Sequence, residues 1–250
     1  MTSTQSILGY SFVIVLGALA GAAVPLLGAK EKRLYTFLAF AAGVMLGAAF
    51  FHMLPEAFRG GGGYAVFSLA AAGFFALFVL ERYVFVHVCE EPAGSHENAN
   101  HQAPHGLVAF LGLSVHTLFD GVALASATRE GIGLTAFIAI TAHKIPSAMT
   151  LASIMLGEGT RPRKILLYAF FFGCMVPLGA ALFFFLESTL SLTALAPKAL
   201  AFSAGTFLYI AVADLLPHLQ KGGKDGRLKR IVALGLGMAV MFALARFLRE

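Results

Sequence analysis

Eight apolar stretches, each near the roughly 20 residues a helix needs to cross a bilayer, leave this chain little choice of fold. Bounded by charges, glycine runs and prolines, they fall near 7–28, 34–57, 64–89, 106–128, 132–157, 164–187, 197–219 and 228–248. With 58% of 250 residues hydrophobic and 12% charged, the chain lacks the polar surface of a water-soluble globule. The sequence predicts an all-α integral membrane protein with eight transmembrane helices, spans one to eight, forming one domain over residues 1–250. Ile7 to Leu27 has no basic leader before it and no clear small-residue cleavage site. It is read as a retained first span rather than a signal peptide.

The formal charge of +5 is topological rather than a sign of nucleic-acid binding, because the basic residues lie in short clusters between spans. Lys30, Lys32 and Arg33 follow span one, and Arg82 closes span three. Arg161, Arg163 and Lys164 follow span five; Lys221, Lys224, Arg227, Lys229 and Arg230 follow span seven. The opposite ends carry only Arg59, Arg129, Lys198, Arg246 and Arg249. The positive-inside rule then places both termini outside and the polar connection after span three in the cytoplasm. Cys89 and Cys174 lie at or within apolar segments, which argues against a disulfide framework and a thiolate zinc site.

Spans two and seven share a pattern. Ala42 to Glu56 (AGVMLGAAFFHMLPE) laid over Ala204 to His218 (AGTFLYIAVADLLPH) matches Ala, Gly, Leu, Ala, Leu and Pro in register. His52 then stands opposite Asp214, and Glu56 opposite His218. The charge pattern runs the two spans in opposite directions, so the expectation is an inverted 3+2+3 repeat with spans four and five between the halves.

Those two central spans carry ionisable groups in the middle of apolar sequence: Ser114 to Gly121 (SVHTLFDG) and Thr141 to Ala148 (TAHKIPSA). A central charge costs about 2.5 to 3.5 kcal/mol on insertion scales, so such groups line cavities or pathways. His116 and Asp120 share a helix face, as do His143 and Ser147, with Lys144 beside them. Imidazole and carboxylate suit zinc or a similar divalent ion. Taken alone, His116 and Asp120 fit equally a hydrogen bond that holds span four against a neighbour. His143 favours metal, because a second buried histidine with Pro146 three residues on is hard to explain by packing; Pro146 also leaves the Ala142 carbonyl without its usual partner.

Lys144 is the unusual member. Two neutral histidines and one aspartate leave a divalent ion with net positive charge, which a lysine alongside makes worse. Lys144 is expected to pair with Asp120, to replace a second ion, or to lose its proton as an ion binds. At the span ends, His52, Glu56, Asp214 and His218 are either staging ligands at the two mouths or polar residues reaching interfacial water. The loop Glu90 to Pro104 holds His96 and His101, with His87 and His105 flanking it. These either handle metal weakly or are polar filler in an unstructured segment. The Gly60 to Gly63 run reads as a tight outer turn without phosphate-loop context.

In order along the chain, AAGVMLGAAFFHMLPEA, the histidine-bearing loop, VHTLFDGVALASA, HKIPSA, GCMVPLGA and AGTFLYIAVADLLPH resemble the Zrt/Irt-like (ZIP) family of divalent metal transporters. The resemblance implies eight helices, an inverted repeat, outside termini and uptake of metal, zinc first, into the cytoplasm across the cell membrane. It puts His116, Asp120, His143 and the Ser147 position on the primary metal site, implies homodimerisation, and moves spans one, four, six and seven against the others. Thr117, Lys144, Ser147 and Val176 stand where many members carry metal ligands; HKIPSA is similar to a branch with lysine at this point. A one-ion site follows. Metal is cargo here, with no catalytic cofactor. A membrane-embedded zinc hydrolase is the competing class, weakened by the lack of an H-E-x-x-H motif and of an acid beside His143. A metal-sensing membrane protein that does not transport is the third.

Overall fold

The computed structural model describes residues 3–27, 31–85, 105–129, 131–186, 192–217 and 226–247. Among them every regular element is helical. Span one is Ser3–Leu27, span four His105–Arg129, span five Gly133–Gly157, span six Pro162–Leu186 and span eight Arg227–Phe247. Span two starts as Glu31–Gly47 and continues through π-helical Ala48–Met53, the turn Leu54–Ala57 and π-helical Phe58–Gly62. Span three is Ala65–Val79 with π-helical Leu80–Phe85. Span seven is Leu192–Tyr209 followed by π-helical Ile210–Leu215. Among the described residues seven helices are long and apolar enough to cross a membrane, and the shorter apolar helix Pro197–Ala213 is the eighth candidate. The all-α membrane architecture read from the sequence is borne out.

One local expectation changes. Gly60 to Gly62 are helical, and the turn begins at Gly63, whose φ of 47° a glycine tolerates without penalty. Span five stays helical from Gly133 to Gly157 through Pro146, in keeping with the stretch 132–157 read from the sequence.

The helices are apolar on nearly all sides, so burial separates centre from rim. In spans two, four and five 61% of the most apolar window is buried, against 28% in spans three and eight. Phe74 and Phe75 of span three, Phe170 and Phe171 of span six, and Phe242 of span eight face outward. The ionisable residues of spans four and five thus lie in the best-shielded part of the molecule.

Packing resolves the helices into two groups. Spans one, four, five and six pack on one another; spans two, three, seven and eight form the second group, and the two meet mainly where span two touches five and span four touches seven. This packing differs from the grouping of spans one, four, six and seven: span seven packs with span three, and span five with span one. Interlocked glycines explain why. A Cβ on Gly73 would fall on the Phe202 carbonyl, and one on Gly205 on the Ala70 carbonyl. The pairs Gly43 with Gly237 and Gly121 with Gly179 interlock in the same reciprocal way. Small residues let backbones touch where bilayer lipid offers no hydrophobic drive for helix association. All three pairs lie inside one group or the other. At Gly112, which faces across the boundary, an added Cβ would meet only the side-chain tips of Leu77 and Ile210.

Candidate metal centre

His116 and Asp120 sit one turn apart on span four, with His116 Nε2 3.4 Å from Asp120 Oδ1. Span five brings His143 to the other side of the carboxylate, its Nε2 3.3 Å from Asp120 Oδ2. Ligand atoms of these three residues lie within 4.8 Å of one another. The residues are 2%, 7% and 3% exposed, so the donors are shielded from lipid and bulk solvent. His116 Nδ1 has no hydrogen-bond partner among the described residues. A buried, unsatisfied polar atom is costly, and this one marks the ring as incompletely served by protein alone.

Lys144 is wholly buried, and three groups surround its ammonium. Nζ donates to Thr117 Oγ1 at 2.7 Å and to Asp120 Oδ2 at 3.0 Å, and lies 4.6 Å from the centre of the Phe172 ring. The ion pair between Lys144 and Asp120 read from sequence is thus present. Thr117, noted in sequence only as a departure, acquires a role as acceptor for the lysine. Ser147 is buried and donates its hydroxyl hydrogen to the His143 carbonyl at 2.8 Å, a bond back along its own helix. Val176 is fully buried, with its backbone carbonyl against Gly121.

Span two reaches the same centre. Its π-helical segment carries His52, whose ring centroid lies 5.5 Å from that of His143; the rings of His143 and His116 are 5.6 Å apart. His143 thus stands between two other imidazoles, and it and His116 flank the carboxylate. π-Helical turns rotate the following side chains relative to a regular helix and often occur at functional positions. Sequence spacing placed His52 at a mouth, because helical periodicity cannot reveal the extra residue per turn.

A cavity of about 930 Å³ connects this centre to the end of span two. His143, Asp120 and His52 are among the residues that line it, as are Glu56, Arg59, Ile132 and Pro197. Glu56 and Arg59 form an exposed ion pair of 2.7 Å at this end. Asp214 falls in the π-helical segment of span seven, but its side chain is outside the described residues, as are His218, His96, His101 and His87. At the opposite end of the spans, Glu158 accepts a hydrogen bond from the Gly106 N–H at 2.8 Å and so caps span four, a contact between positions 52 apart that no local pattern signals.

The family model described as ZIP Zinc transporter matches residues 4–109 and 89–245. The chain is 33% identical over 179 residues to Zinc transporter ZIP9 of Micropogonias undulatus, covering 64% of this chain and 56% of that protein. It is 29% identical over 213 residues to Zinc transporter ZIP1 of Takifugu rubripes, covering 71% and 69%. Against Zinc transporter ZIP9-B of Xenopus laevis the figures are 32% over 176 residues, 65% and 58%. The chain thus spans little more than half the length of the two ZIP9 proteins. The model covers nearly all of the sequence and the buried histidine and aspartate cluster lies within the matched region; the chain belongs to the ZIP zinc transporter family.

Proposed function

We propose that this protein moves divalent metal ions, zinc first, across the cell membrane into the cytoplasm, and that His116, Asp120, His143 and His52 hold the ion in transit. The observation that carries the reading is the buried His116, Asp120 and His143 cluster at the inner end of an open cavity. Neutral imidazole and carboxylate are zinc donors, and three or four such ligands match its tetrahedral preference. Ser147 supports the centre by fixing the turn that carries His143. Glu56 attracts ions at the cavity mouth, while Asp214 and His218 serve the opposite mouth and His96 and His101 pass metal weakly to the cytoplasm. Residues 1–250 act as one transport domain, working as a homodimer.

The charge clusters support outside termini, which makes the cavity outward-facing. The π-helical segments 48–53 and 210–215 fall at matching positions of the overlaid stretches of spans two and seven, and Gly43 overlies Gly205. Both support an inverted repeat. Alternating access then slides spans one, four, five and six, which carry His116, Asp120 and His143, along the other four, because interlocked backbones hold each group together and side-chain contacts join them. Water activation by a hydrolase is disfavoured, since Lys144 rather than an acid stands beside His143.

Uptake of radioactive zinc by cells that lack their own high-affinity uptake and express this chain tests the proposal. Saturable uptake that is lost in His116→Ala and His143→Ala, with surface expression preserved, is the expected result. Surface protein that binds zinc without uptake would contradict it and favour the sensing class.

A further inference from the structure

The two oxygens of Asp120 are unequally available. Oδ1 faces His116 Nε2 at 3.4 Å, whereas Oδ2 is held by Lys144 Nζ at 3.0 Å while lying 3.3 Å from His143 Nε2. Lys144 is committed to that position. Its remaining donors meet the Thr117 hydroxyl and the Phe172 ring face, and the side chain is fully buried, so it has no solvated rotamer to swing into. An ammonium that leaves this pocket abandons three partners at once.

We propose that Lys144 is a specificity-determining residue: by retaining Asp120 Oδ2 it restricts the carboxylate to one oxygen toward a bound ion, and so tunes the site to imidazole-preferring dications such as zinc and cobalt over oxygen-preferring ones such as manganese and calcium. The inference rests on the transport reading above and assigns its selectivity. Hard cations gather several oxygen ligands and use carboxylates in bidentate fashion. Here two or three ring nitrogens and one carboxylate oxygen are on offer, with a fixed positive charge beside them. That charge also opposes the ion itself, which keeps binding weak enough for release.

Cobalt is the spectroscopic probe, since four-coordinate cobalt(II) absorbs visible light much more strongly than five- or six-coordinate cobalt(II). The native protein in detergent is expected to give the intense four-coordinate spectrum. Lys144→Met, which keeps the volume but removes the ammonium, frees Oδ2; its spectrum should weaken toward higher coordination. The ratio of manganese to zinc affinity should rise about tenfold in that variant, because an added oxygen ligand favours manganese. Lys144→Gln retains an N–H donor toward Oδ2 and should stay closer to the native spectrum than Lys144→Met, a contrast that a role in packing alone does not predict.

A weak, six-coordinate spectrum in the native protein overturns the inference without use of any variant. So does a Lys144→Met protein with unchanged spectrum and unchanged manganese to zinc ratio. Native protein that passes zinc but shows either result leaves the transport reading standing and removes only the selectivity assignment; native protein that binds neither cobalt nor zinc removes both.

Discussion

Asp120 Oδ2 lies 3.3 Å from His143 Nε2 although 23 residues separate them in sequence, and the carboxylate's other oxygen faces His116 on its own helix. Spans four and five thus share one anionic group, and neither can shift against the other without disturbing the donor set. This ties the candidate metal centre to a single packed unit made of spans one, four, five and six. His52 approaches from the second unit, so under the proposed function a four-residue site draws on both units.

His52→Ala tests that assembly. The variant loses a ring that sits 5.5 Å from His143 while leaving the three-residue cluster intact. Zinc affinity measured by calorimetry is expected to fall by at least about tenfold, since even outer-shell partners of metal ligands cost 10 to 100-fold when removed. Unchanged affinity would return His52 to the role of a residue in the cavity wall.

Arg59 offsets the charge of Glu56 at the end of the cavity. Arg59→Gln leaves the mouth more negative and should raise the initial rate of zinc influx at subsaturating zinc by about two- to threefold in low salt, with Glu56→Gln acting in the opposite direction. The difference should shrink in about 0.5 M salt, where the Debye length falls to a few ångströms. A change that persists at high salt would point to direct ligation instead of field.

The interlocked glycines set a contrast in stability. Gly73→Ala or Gly121→Ala puts a Cβ onto a neighbouring backbone carbonyl, so the helices must separate, at a cost of about 1 to 3 kcal/mol for overpacking of this kind. Gly112→Ala meets Leu77 Cδ2 at 3.3 Å and Ile210 Cδ1 at 3.5 Å, which are side-chain tips able to yield. Thermal unfolding in detergent should rank Gly112→Ala near the native protein and the other two well below it. Equal losses at all three positions would contradict the division into two internally locked units.

Much of this architecture was legible because a bilayer restricts what a chain can do. Apolar length reveals spans, and charges inside them reveal a site, so His116, Asp120, His143 and Lys144 stood out without coordinates. The spacing of His116 and Asp120 by one helical turn is a local relation that periodicity carries directly. Span grouping was not legible in that way: apolar helices look alike on every face, and the backbone contacts at Gly73 and Gly205 appear in sequence only as two glycines among 27. The approach of His52 to His143 was not legible, because the π-helical segment Ala48–Met53 changes the face it presents. The link between Lys144 and Thr117 needed two helices in register, which no pattern within either helix records.

The most direct test of the central claim is zinc influx into proteoliposomes holding a metal-sensitive dye, with the native protein compared with His116→Ala and His143→Ala after each variant is checked for folding. The account predicts saturable influx through the native protein and none above protein-free liposomes through either variant. Influx that persists at the native rate in both folded variants would contradict it, because the ion would then cross without using the one buried carboxylate that His116 and His143 enclose.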